Sequence, residues 1–554
     1  MATVTLGKIA FAWRGLFDPN FSYAAQDVVH YNGSAYVCTV DDTQGVLPTV
    51  IAAWDLFAQG ARDIASGAGE LVVHDGSTLA ALTPGETGQV LTISAQGLPE
   101  WSIPTIRSGT KALAIQDAAQ PFMYRRGAAV MTDGSVRWWG RGENWMHGTG
   151  NQTADRSYPV SVAFPPNTPA IKYICGAHDF ASVAIDANGQ FWVWGQNDYG
   201  DVGRGDTADQ RVPYNASGNS SNSIYGKSVI AYAPMASPQN YISHMVLCSD
   251  GTVHTCGYNG YGQLGQGDTT NRYNFVQVPM LSNIVQIARG GERYTSCYAL
   301  KADGTLYSWG YNAEGQLGSG DTTQRNIPMT LPHFANSSIA IKRVGGSRQY
   351  AWAIDTNNKL YTWGYNGYGN LGHSGTSNNY TPTQALTNVA DCNSRCESYH
   401  RTYALRTDGT VWATGDNSYG CLGVAADATD RSGFTQCRIN ASTPLTHITK
   451  IIQGGTGSYN YAVALDAEGI CWSVGYSGNG QLGRGTYDGT NYYFAPVLIH
   501  RRRVVDIAPL GTGSEGGVLF LLDDGQVYQT GYAGEAQLPE DDSENISVPM
   551  QVIF

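Results

Sequence analysis

The sequence predicts an all-β protein whose larger part is a β-propeller, with eight blades favoured and seven as the alternative. Charged residues make up 14% of the 554 residues and aromatic residues 11%, and there are 68 glycines and 34 tyrosines. This composition is typical of many short strands joined by tight turns. One short motif also recurs along most of the chain, and a turn signal precedes each copy. A chain of this length can form a single repeat architecture because each repeat contacts only its neighbours.

The recurring motif is a strand-like run that ends in glycine. The eight runs are SVRWWG, QFWVWG, TVHTCG, TLYSWG, KLYTWG, TVWATG, ICWSVG and QVYQTG, with final glycines 51 to 62 residues apart. We expect the last two positions of each run to be equivalent in every blade, including the tryptophan positions Trp139, Trp194, Trp309 and Trp363 and the glycine positions Gly195, Gly257, Gly310 and Gly364. Burying a large apolar side chain contributes roughly 1.5–3 kcal/mol, so these tryptophans are predicted to be buried.

Each run is framed by turn signals. An Asx-Gly or related pair precedes it, from Asp133-Gly134 to Asp524-Gly525, which predicts a hairpin with a type I′ turn and positive φ at both central residues. A glycine-rich loop follows, clearest as GYNGYGQLGQGD at 257–268, and its leucine is predicted to fill the space between adjacent units. A later proline, as at Pro328, begins an outer segment. One four-stranded sheet cannot cover both of its own faces, so the units are expected to stack around an axis.

The combined pattern, an apolar strand, Asp-Gly, then W-G-x-N-x-x-G-Q-L-G-x-G-D and a later proline, resembles the regulator of chromosome condensation repeat over residues 105–554. That family more often closes with seven blades. The last copy, GYAGEAQLPEDD, also replaces two glycines with Ala536 and Pro539. Some eukaryotic relatives bind chromatin and promote nucleotide exchange on a small GTPase, but no functional loop of theirs can be matched here residue by residue.

Charge and cysteine usage exclude several classes. The net charge is −12 and the densest basic run, Arg501 to Arg503, has three residues, so no nucleic-acid partner is expected. The chain starts without a signal-peptide pattern and no segment approaches eighteen consecutive apolar residues, so we expect a cytoplasmically made protein without membrane insertion. The ten cysteines are sparse, which favours reduced core thiols, and the pair Cys392 and Cys396 lacks the partners of a zinc site.

The sequence contains no motif of a known enzyme class, so we expect no catalysis, no cofactor and no metal. His178, His244 and His400 lie in related segments of different copies, which favours a packing role over three separate general bases. Asp206, Asp268 and Asp321 come from different loops and lack nearby carboxylates at calcium-loop spacing. A turn or cap role is therefore the favoured interpretation of these aspartates.

Residues 1–60 are predicted to form a small β domain. The segment 11–60, with its Y-x-x-x-D-V-V, Tyr-Asn-Gly turn and closing Trp-Asp-Leu, is similar to the small chitin-type carbohydrate-binding modules and suggests three strands. This resemblance implies sugar-contact candidates at Trp13, Tyr23, Tyr31 and Tyr36, because exposed aromatic rings stack on sugar faces. The alternative is that these rings form the core of the module, and Trp54 is the stronger core candidate.

Residues 61–104 are predicted to be a linker and connector. Within them, GELVVHDGSTLAALTPGETGQVLTISAQGLPEWSI at 69–103 resembles a segment repeated in bacteriophage tail-fibre and related virion proteins. That resemblance implies a stalk in a homo-oligomer, with a trimer favoured. The propeller at 105–554 would then be displayed, and its loops offer tyrosines as contact candidates, namely Tyr199, Tyr261, Tyr368 and Tyr419.

Together these features favour a non-enzymatic structural protein on the surface of a bacteriophage particle, assembled in the host bacterial cytoplasm. It would be a tail fibre or receptor-binding protein whose partners are other tail or capsid proteins and a host-surface glycan or protein receptor. Three alternatives remain open: a capsid-attached decoration protein, a secreted bacterial carbohydrate-binding protein, and an intracellular interaction or nucleotide-exchange propeller.

Overall fold

The structure is a computed structural model. It describes residues 126–140, 142–150, 156–177, 180–235, 241–290, 295–395, 400–455, 459–499, 502–510, 516–532 and 545–552, together with nine short strands between residues 12 and 115. The chain divides into two compact units, Met1–Gly109 and Thr110–Phe554.

The first unit contains one four-stranded sheet and two hairpins. Its strands are β1 (Ala12–Leu16), β2 (Asp27–Tyr31), β3 (Ser34–Cys38), β4 (Trp54–Ala58), β5 (Leu71–His74), β6 (Leu79–Leu82), β7 (Val90–Ile93) and β8 (Pro99–Ser102). The sheet order is β1-β2-β3-β4, and β5 pairs with β6 and β7 with β8. The prediction of three strands for the first sixty residues is wrong, because the segment around Trp13 pairs in parallel with β2 as a fourth strand.

The second unit is an all-β propeller of eight four-stranded blades, as predicted. The strands of blades 1 to 4 are β9 (Ala112–Ile115), β10 (Arg126–Met131), β11 (Val136–Gly140), β12 (Arg156–Ser161); β13 (Ile171–Ala177), β14 (Ala181–Asp186), β15 (Phe191–Gly195), β16 (Gln210–Asn215); β17 (Val229–Met235), β18 (Ser243–Cys248), β19 (Val253–Gly257), β20 (Arg272–Gln277); β21 (Ile284–Gly290), β22 (Ser296–Lys301), β23 (Leu306–Gly310) and β24 (Arg325–Thr330).

Blades 5 to 8 repeat the same plan. Their strands are β25 (Ile341–Gly346), β26 (Tyr350–Asp355), β27 (Leu360–Gly364), β28 (Asn379–Leu386); β29 (Val389–Arg395), β30 (Arg401–Arg406), β31 (Val411–Gly415), β32 (Arg431–Gln436); β33 (Ile448–Gly454), β34 (Tyr461–Asp466), β35 (Cys471–Gly475), β36 (Asn491–Pro496); β37 (Val504–Leu510), β38 (Gly517–Leu522), β39 (Val527–Gly531) and β40 (Ile546–Val552). The described helical segments are α1 (Pro332–Ser337) and three 3₁₀ turns, Glu143–Trp145, Ala216–Gly218 and Ser418–Gly420.

In each blade the first strand is the innermost and contacts the first strand of a neighbouring blade, as β21 contacts β25. The ring closes where β9 of blade 1 meets β37 and β38 of blade 8. Each blade is a contiguous stretch of chain, so closure depends on packing between blades and not on a shared strand. None of the described helices is long and apolar enough to cross a membrane.

The hydrophobic core lies between blades. One cluster joins blades 3 and 4 through Leu264, Ile287 and Trp309, and another joins blades 7, 8 and 1 through Val463, Phe520 and Trp139. Removing such apolar surface from water is the main stabilising contribution to a repeat ring.

The hairpin turns differ from the prediction. In Asp133-Gly134 only the glycine has positive φ, +79°, and the amide of Gly134 donates to the carbonyl of Met131 at 2.9 Å. The type I′ prediction is therefore wrong. The pattern fits a type I turn followed by a left-handed residue. The Asp133 carboxylate accepts from the amide of Ser135 at 2.8 Å, which explains why aspartate recurs before the glycine.

Candidate functional site: the tyrosine face of the propeller

The loops between the third and fourth strands of blades 2 to 6 share one internal anchor, the asparagine two residues after the repeated glycine. Asn259 is fully buried; its amide nitrogen donates to the carbonyls of Asp268 at 3.0 Å and Thr270 at 3.1 Å. Its Oδ1 accepts from the amide of Leu264 at 2.9 Å. Asn312 makes the matching contacts to Asp321, Thr323 and Leu317. One side chain thus ties three points of the loop together.

The loop aspartates act as caps. The Asp268 carboxylate accepts from the amide of Thr270 at 2.9 Å and pairs with Arg272 at 2.7 Å. The same pair recurs as Asp321 with Arg325 at 2.7 Å. These hydrogen bonds from Arg272 and Thr270 lower the pKa of Asp268. Among the described residues no group of three or more His, Cys, Asp or Glu is arranged to hold a metal ion.

Each loop leaves its strand at the repeated glycine, where a side chain does not fit. Gly257 has φ +99° and a Cβ there would lie 2.5 Å from the carbonyl oxygen of Ile242. Gly364 has φ +105° with the same clash against Gln349. Both the backbone angle and the close approach therefore demand glycine.

We expect Asn312→Ala to destabilise the propeller by roughly 2 kcal/mol, because it removes hydrogen bonds to three buried or half-buried backbone groups. The measurement is the thermal unfolding midpoint of the full chain. Thr322→Ala, an exposed change in the same loop, is the matched control. Equal midpoints for the two variants would refute the anchoring role.

The residue before each repeated glycine links neighbouring blades. Trp139, Trp194, Trp309 and Trp363 are all fully buried. The indole of Trp194 donates to the carbonyl of Met146 at 2.8 Å, and that of Trp309 to Gln263 at 2.9 Å, each across a blade boundary. The ring is joined in the same way where the indole of Trp139 donates to Gln529 Oε1 at 3.1 Å.

Half-buried tyrosines cover these loops in a continuous cluster on blades 2 to 4. We call it the tyrosine belt, and it comprises Tyr199, Tyr241, Tyr258, Tyr261 and Tyr311. Tyr241 stacks on Tyr258 with ring centroids 4.3 Å apart, and Tyr199 meets Tyr258 edge-on at 5.1 Å. Tyr261 continues the belt to Tyr311 at 5.5 Å. The loops of three blades thereby present one aromatic surface.

Two smaller aromatic groups continue on the same face. Tyr365 and Tyr368 enclose the imidazole of His400 at 4.5 and 5.8 Å. Tyr419 and Tyr459 both contact Tyr476, at 5.6 and 5.0 Å. Tyr419 has φ +61°, a left-handed conformation that costs about 1–2 kcal/mol in a non-glycine residue.

All four loop tyrosines singled out from the sequence lie on this face, and each packs on other rings. Tyr199 and Tyr261 belong to one cluster, whereas Tyr368 and Tyr419 lie in the two others. Sequence reasoning missed the other six tyrosines of these clusters, namely Tyr241, Tyr258, Tyr311, Tyr365, Tyr459 and Tyr476. Four of the six directly follow the repeated glycine as a G-Y pair, a signal that was present but unused.

The sugar-contact candidates of the first unit cannot be assessed in the same way. Trp13, Tyr31 and Tyr36 lie in β1, β2 and β3 respectively, and their side chains lie outside the described residues. Tyr23 lies outside them altogether.

The predicted grouping of three histidines at equivalent places is wrong for the two that are described. His244 lies within β18, opposite Cys256, whereas His400 precedes β30 and corresponds to Ile242 of blade 3. Both side chains are buried, and burial lowers the pKa of each imidazole to about 3. His178 lies outside the described residues.

A buried polar group surrounds His244 between blades 2 and 3. Its Nε2 lies 3.9 Å from the Asp201 carboxylate, and its Nδ1 shares a hydrogen bond with the Tyr232 hydroxyl at 2.8 Å. Burial raises the pKa of Asp201 well above its usual value, because the charged carboxylate is costly away from water. Neither Asp201 nor His244 is exposed to solvent, which makes this arrangement inaccessible to a substrate.

The described cysteines are free and buried, eight in all. Burial raises the pKa of Cys248 to about 12 and that of Cys421 to about 11, so neither forms a thiolate near neutral pH. Cys392 is among them, and Cys396 lies outside the described residues.

Fold and loops together define a class: a closed propeller of eight repeats, joined by buried tryptophans, that presents one aromatic loop face. A family model described as the regulator of chromosome condensation (RCC1) repeat matches residues 188–230, 250–297, 303–354 and 357–392, and a second model of that repeat matches 398–421. The matched stretches lie in blades 2 to 6, so the propeller contains repeats of the regulator of chromosome condensation type.

Three curated proteins show what this chain is similar to in sequence. The ultraviolet-B receptor UVR8 of Arabidopsis thaliana is 27% identical over 361 residues, which cover 64% of this chain and 76% of the relative. The E3 ubiquitin-protein ligase HERC2 of Homo sapiens is 26% identical over 382 residues, 67% of this chain but only 7% of that protein. The RCC2 homolog of Danio rerio is 30% identical over 234 residues, 38% of this chain and 44% of the relative.

Solved structures agree in fold. Prp20p from Saccharomyces cerevisiae has a TM-score of 0.50 at 19% identity and covers 73% of this chain and 92% of its own. Human WBSCR16 has a TM-score of 0.51 at 18% identity, and the match covers 69% of this chain and 98% of that chain. At this level of identity the likeness shows the fold alone.

Proposed function

We propose that this chain is a recognition protein without catalytic activity, whose propeller binds a macromolecular partner through the tyrosine belt. The belt is the observation that carries the proposal. Tyrosine and tryptophan offer large amphipathic contact area at small conformational cost. A surface built from such rings is better suited to binding a glycan or a protein than to catalysing a reaction.

Rigidity supports the same function. The belt rests on loops that are tied internally by Asn259 and Asn312 and joined to the next blade by buried tryptophans. A preorganised surface loses little entropy on binding. The centroids of neighbouring tyrosine rings in the belt are 4.3–6.1 Å apart, so the partner would meet a nearly preformed surface.

We propose two biological settings for this binding activity, and a different observation supports each one. The names of the curated relatives, a photoreceptor among them, favour an interaction propeller, in line with the intracellular interaction or nucleotide-exchange alternative. The tail-fibre-like sequence of residues 69–103 instead favours a virion protein for host attachment, with the first unit as a sugar-binding or anchoring module. In that setting many copies would convert weak single-site binding into firm attachment.

The binding role is tested with full-length protein on an array of bacterial surface polysaccharides. We expect the double variant Tyr199→Ala with Tyr261→Ala to lose about ten-fold or more in binding, the loss of roughly 1.4 kcal/mol. Tyr225→Ala is the matched control, since Tyr225 is 58% exposed and belongs to none of the aromatic groups. Equal losses in both variants would refute the belt as the contact surface.

The setting is decided by two further measurements. Antibody labelling of phage particles in electron micrographs would place the chain on a virion, and its absence from particles would reject that setting. Accelerated nucleotide release from a purified bacterial GTPase would support the exchange alternative. Degradation of a polysaccharide on the array would overturn the non-catalytic proposal.

A further inference from the structure

The loops that connect the third and fourth strands of the blades are strongly acidic. In blades 2 to 7 these loops are residues 196–209, 258–271, 311–324, 365–378, 416–430 and 476–490. Together they contain eleven aspartate or glutamate residues but only two arginines, Arg204 and Arg484. The whole chain, by contrast, has 45 acidic and 33 basic residues. Negative charge is therefore concentrated in the loops that carry most of the tyrosine belt.

The basic side chains at this end of the blades do not balance the acidic ones. Four arginines pair with loop aspartates at 2.7–2.9 Å, namely Arg204 with Asp206, Arg272 with Asp268, Arg325 with Asp321 and Arg431 with Asp427. Arg484 is half-buried and lies near Asp488. In the described residues of the loops between first and second strands, Arg348 is the only lysine, arginine, aspartate or glutamate. Asp201 and Asp416 are buried, so nine surface carboxylates outnumber six basic side chains.

Two of the carboxylates without an ion pair to a described residue lie in the same loops as the aromatic groups. Asp198 is exposed and directly precedes Tyr199; its carboxylate accepts a hydrogen bond from the amide of Gln196. Glu314 is half-buried and accepts from the amide of Asn378 at 2.8 Å. Both carboxylates are therefore held in place by neutral donors and keep their negative charge at the surface.

Each of these carboxylates acts on a neighbouring tyrosine. Burial and Tyr241 raise the pKa of Tyr199, and the negative charge of Asp198 adds to the shift. Burial raises the pKa of Tyr365, and Glu314 adds to that shift. The face of an aromatic ring attracts cations, and an adjacent carboxylate strengthens the attraction. The same combination of ring and carboxylate thus occurs twice, once on blade 2 and once between blades 4 and 5.

We infer that the partner bound at this face is a basic protein segment, whose arginine or lysine side chains contact Tyr199 and Tyr365 beside Asp198 and Glu314. The inference rests on the proposed function, because it names the chemistry of the partner that the tyrosine belt binds. A guanidinium group can stack on a tyrosine ring and also donate to a carboxylate. Opposite charge steers such a segment to the face and disfavours acidic competitors. A second copy of this chain, with the same net charge of −12, is a poorer fit.

The test is fluorescence anisotropy of the full chain with a labelled peptide of alternating arginine and glycine. A peptide of alternating glutamate and glycine is the probe of opposite charge. We expect the double variant Asp198→Asn with Glu314→Gln to bind the arginine peptide about five-fold more weakly. Both substitutions keep a side-chain oxygen that can accept the existing hydrogen bonds, so the loops are expected to retain their structure.

The matched control is the double variant Glu468→Gln with Asp523→Asn. It removes the same charge from exposed residues of two hairpin turns, at the opposite end of the blades. We expect this control to bind the arginine peptide with nearly unchanged affinity, and we expect the affinity of the natural chain to fall as salt is raised. An equal loss in both double variants would show a response to net charge alone and would overturn the inference.

Three further results would also overturn it: no binding of the arginine peptide at low salt, equal binding of the glutamate peptide, or a dimer in sedimentation that the Asp198 and Glu314 variant abolishes. The dimer would identify a second copy as the occupant. A polysaccharide response that requires Tyr199 and Tyr261, without binding of the arginine peptide, would reject the basic segment and leave the proposed function standing.

Discussion

Acidification from pH 7 to pH 5 is expected to destabilise the propeller by about 4 kcal/mol. The main contributions come from three buried imidazoles, those of His244, His254 and His400. Desolvation also lowers the pKa of His333 and His373. Desolvation lowers the pKa of His244 and His400 to about 3 and that of His254 to about 4. At pH values between about 6.5 and about 4, the three imidazoles are protonated in the unfolded chain and neutral in the folded chain.

The direction follows from linkage. A histidine with a depressed folded pKa contributes stability that is complete above the unfolded pKa and is lost as pH falls towards the folded pKa. Asp201 opposes this, because burial raises its pKa and protonation of its carboxyl group favours the folded state. Each of the three imidazoles loses at most about 2 kcal/mol between pH 7 and pH 5, and Asp201 offsets part of that sum.

The measurement is the midpoint of urea unfolding of the full chain at pH 7 and at pH 5, monitored by tryptophan fluorescence. His400→Phe sharpens the test, because both ring nitrogens of His400 lack hydrogen-bond partners among the described residues. A phenyl ring would keep the contacts with Tyr365 and Tyr368. We expect this variant to be about 2 kcal/mol more stable than the natural chain at pH 5.

His447→Gln, an exposed substitution, serves as the control and should leave the pH dependence unchanged. A midpoint that does not shift between pH 7 and pH 5 would contradict the prediction. So would a His400→Phe variant with the same acid sensitivity as the natural chain.

The sequence predicted the blade plan because each local signal has one dominant physical cause. Gly257 and Gly364 have positive φ and no room for a Cβ, so glycine at these places fixes the loop exit. Where a tryptophan precedes the repeated glycine, as Trp309 precedes Gly310, it is buried and also donates its N–H, and the inter-blade contact meets both demands. Such requirements act within one repeat or between adjacent repeats, and they recur along the chain.

The tyrosine belt could not be predicted in the same way, because its contacts join residues from different loops and blades. Tyr199 of blade 2 meets Tyr258 of blade 3, a contact that depends on the angle between the blades. The buried Asp201 could have been found, since it occupies the place of Gln263 and Gln316 in the repeat. The replacement of an amide by a carboxyl group at this position is visible in the sequence. The proximity of Asp201 to His244 is not.

Register explains the wrong grouping of the histidines. The second strand begins 14 residues before the repeated glycine in both blades, where Ser243 pairs with Gly257 and Arg401 with Gly415. His244 lies 13 residues before its glycine and His400 lies 15 residues before its own, so the two differ by two positions in register. Counting back from the glycine was therefore the sequence signal that separates them.

The second large effect is expected for Trp309→Ala, a loss of roughly 3–5 kcal/mol in stability. Trp309 is fully buried and packs in the cluster that joins blades 3 and 4. Its removal leaves a cavity and deprives the Gln263 carbonyl of an indole donor at 2.9 Å. Trp309→Phe keeps most of the ring and removes the N–H, so the difference between the two variants separates packing from the hydrogen bond.

Because each blade contacts only its neighbours, the damage from Trp309→Ala should be local before it is global. Hydrogen exchange should accelerate first in β19 and β23, the strands on either side of the affected boundary, and only later in blades 7 and 8. Trp412→Ala is the matched control, since Trp412 is half-buried and contacts Arg406 at 4.7 Å without bridging blades. If the two alanine variants lost equal stability, or if exchange rose evenly around the ring, the tryptophans would not be the joints between blades.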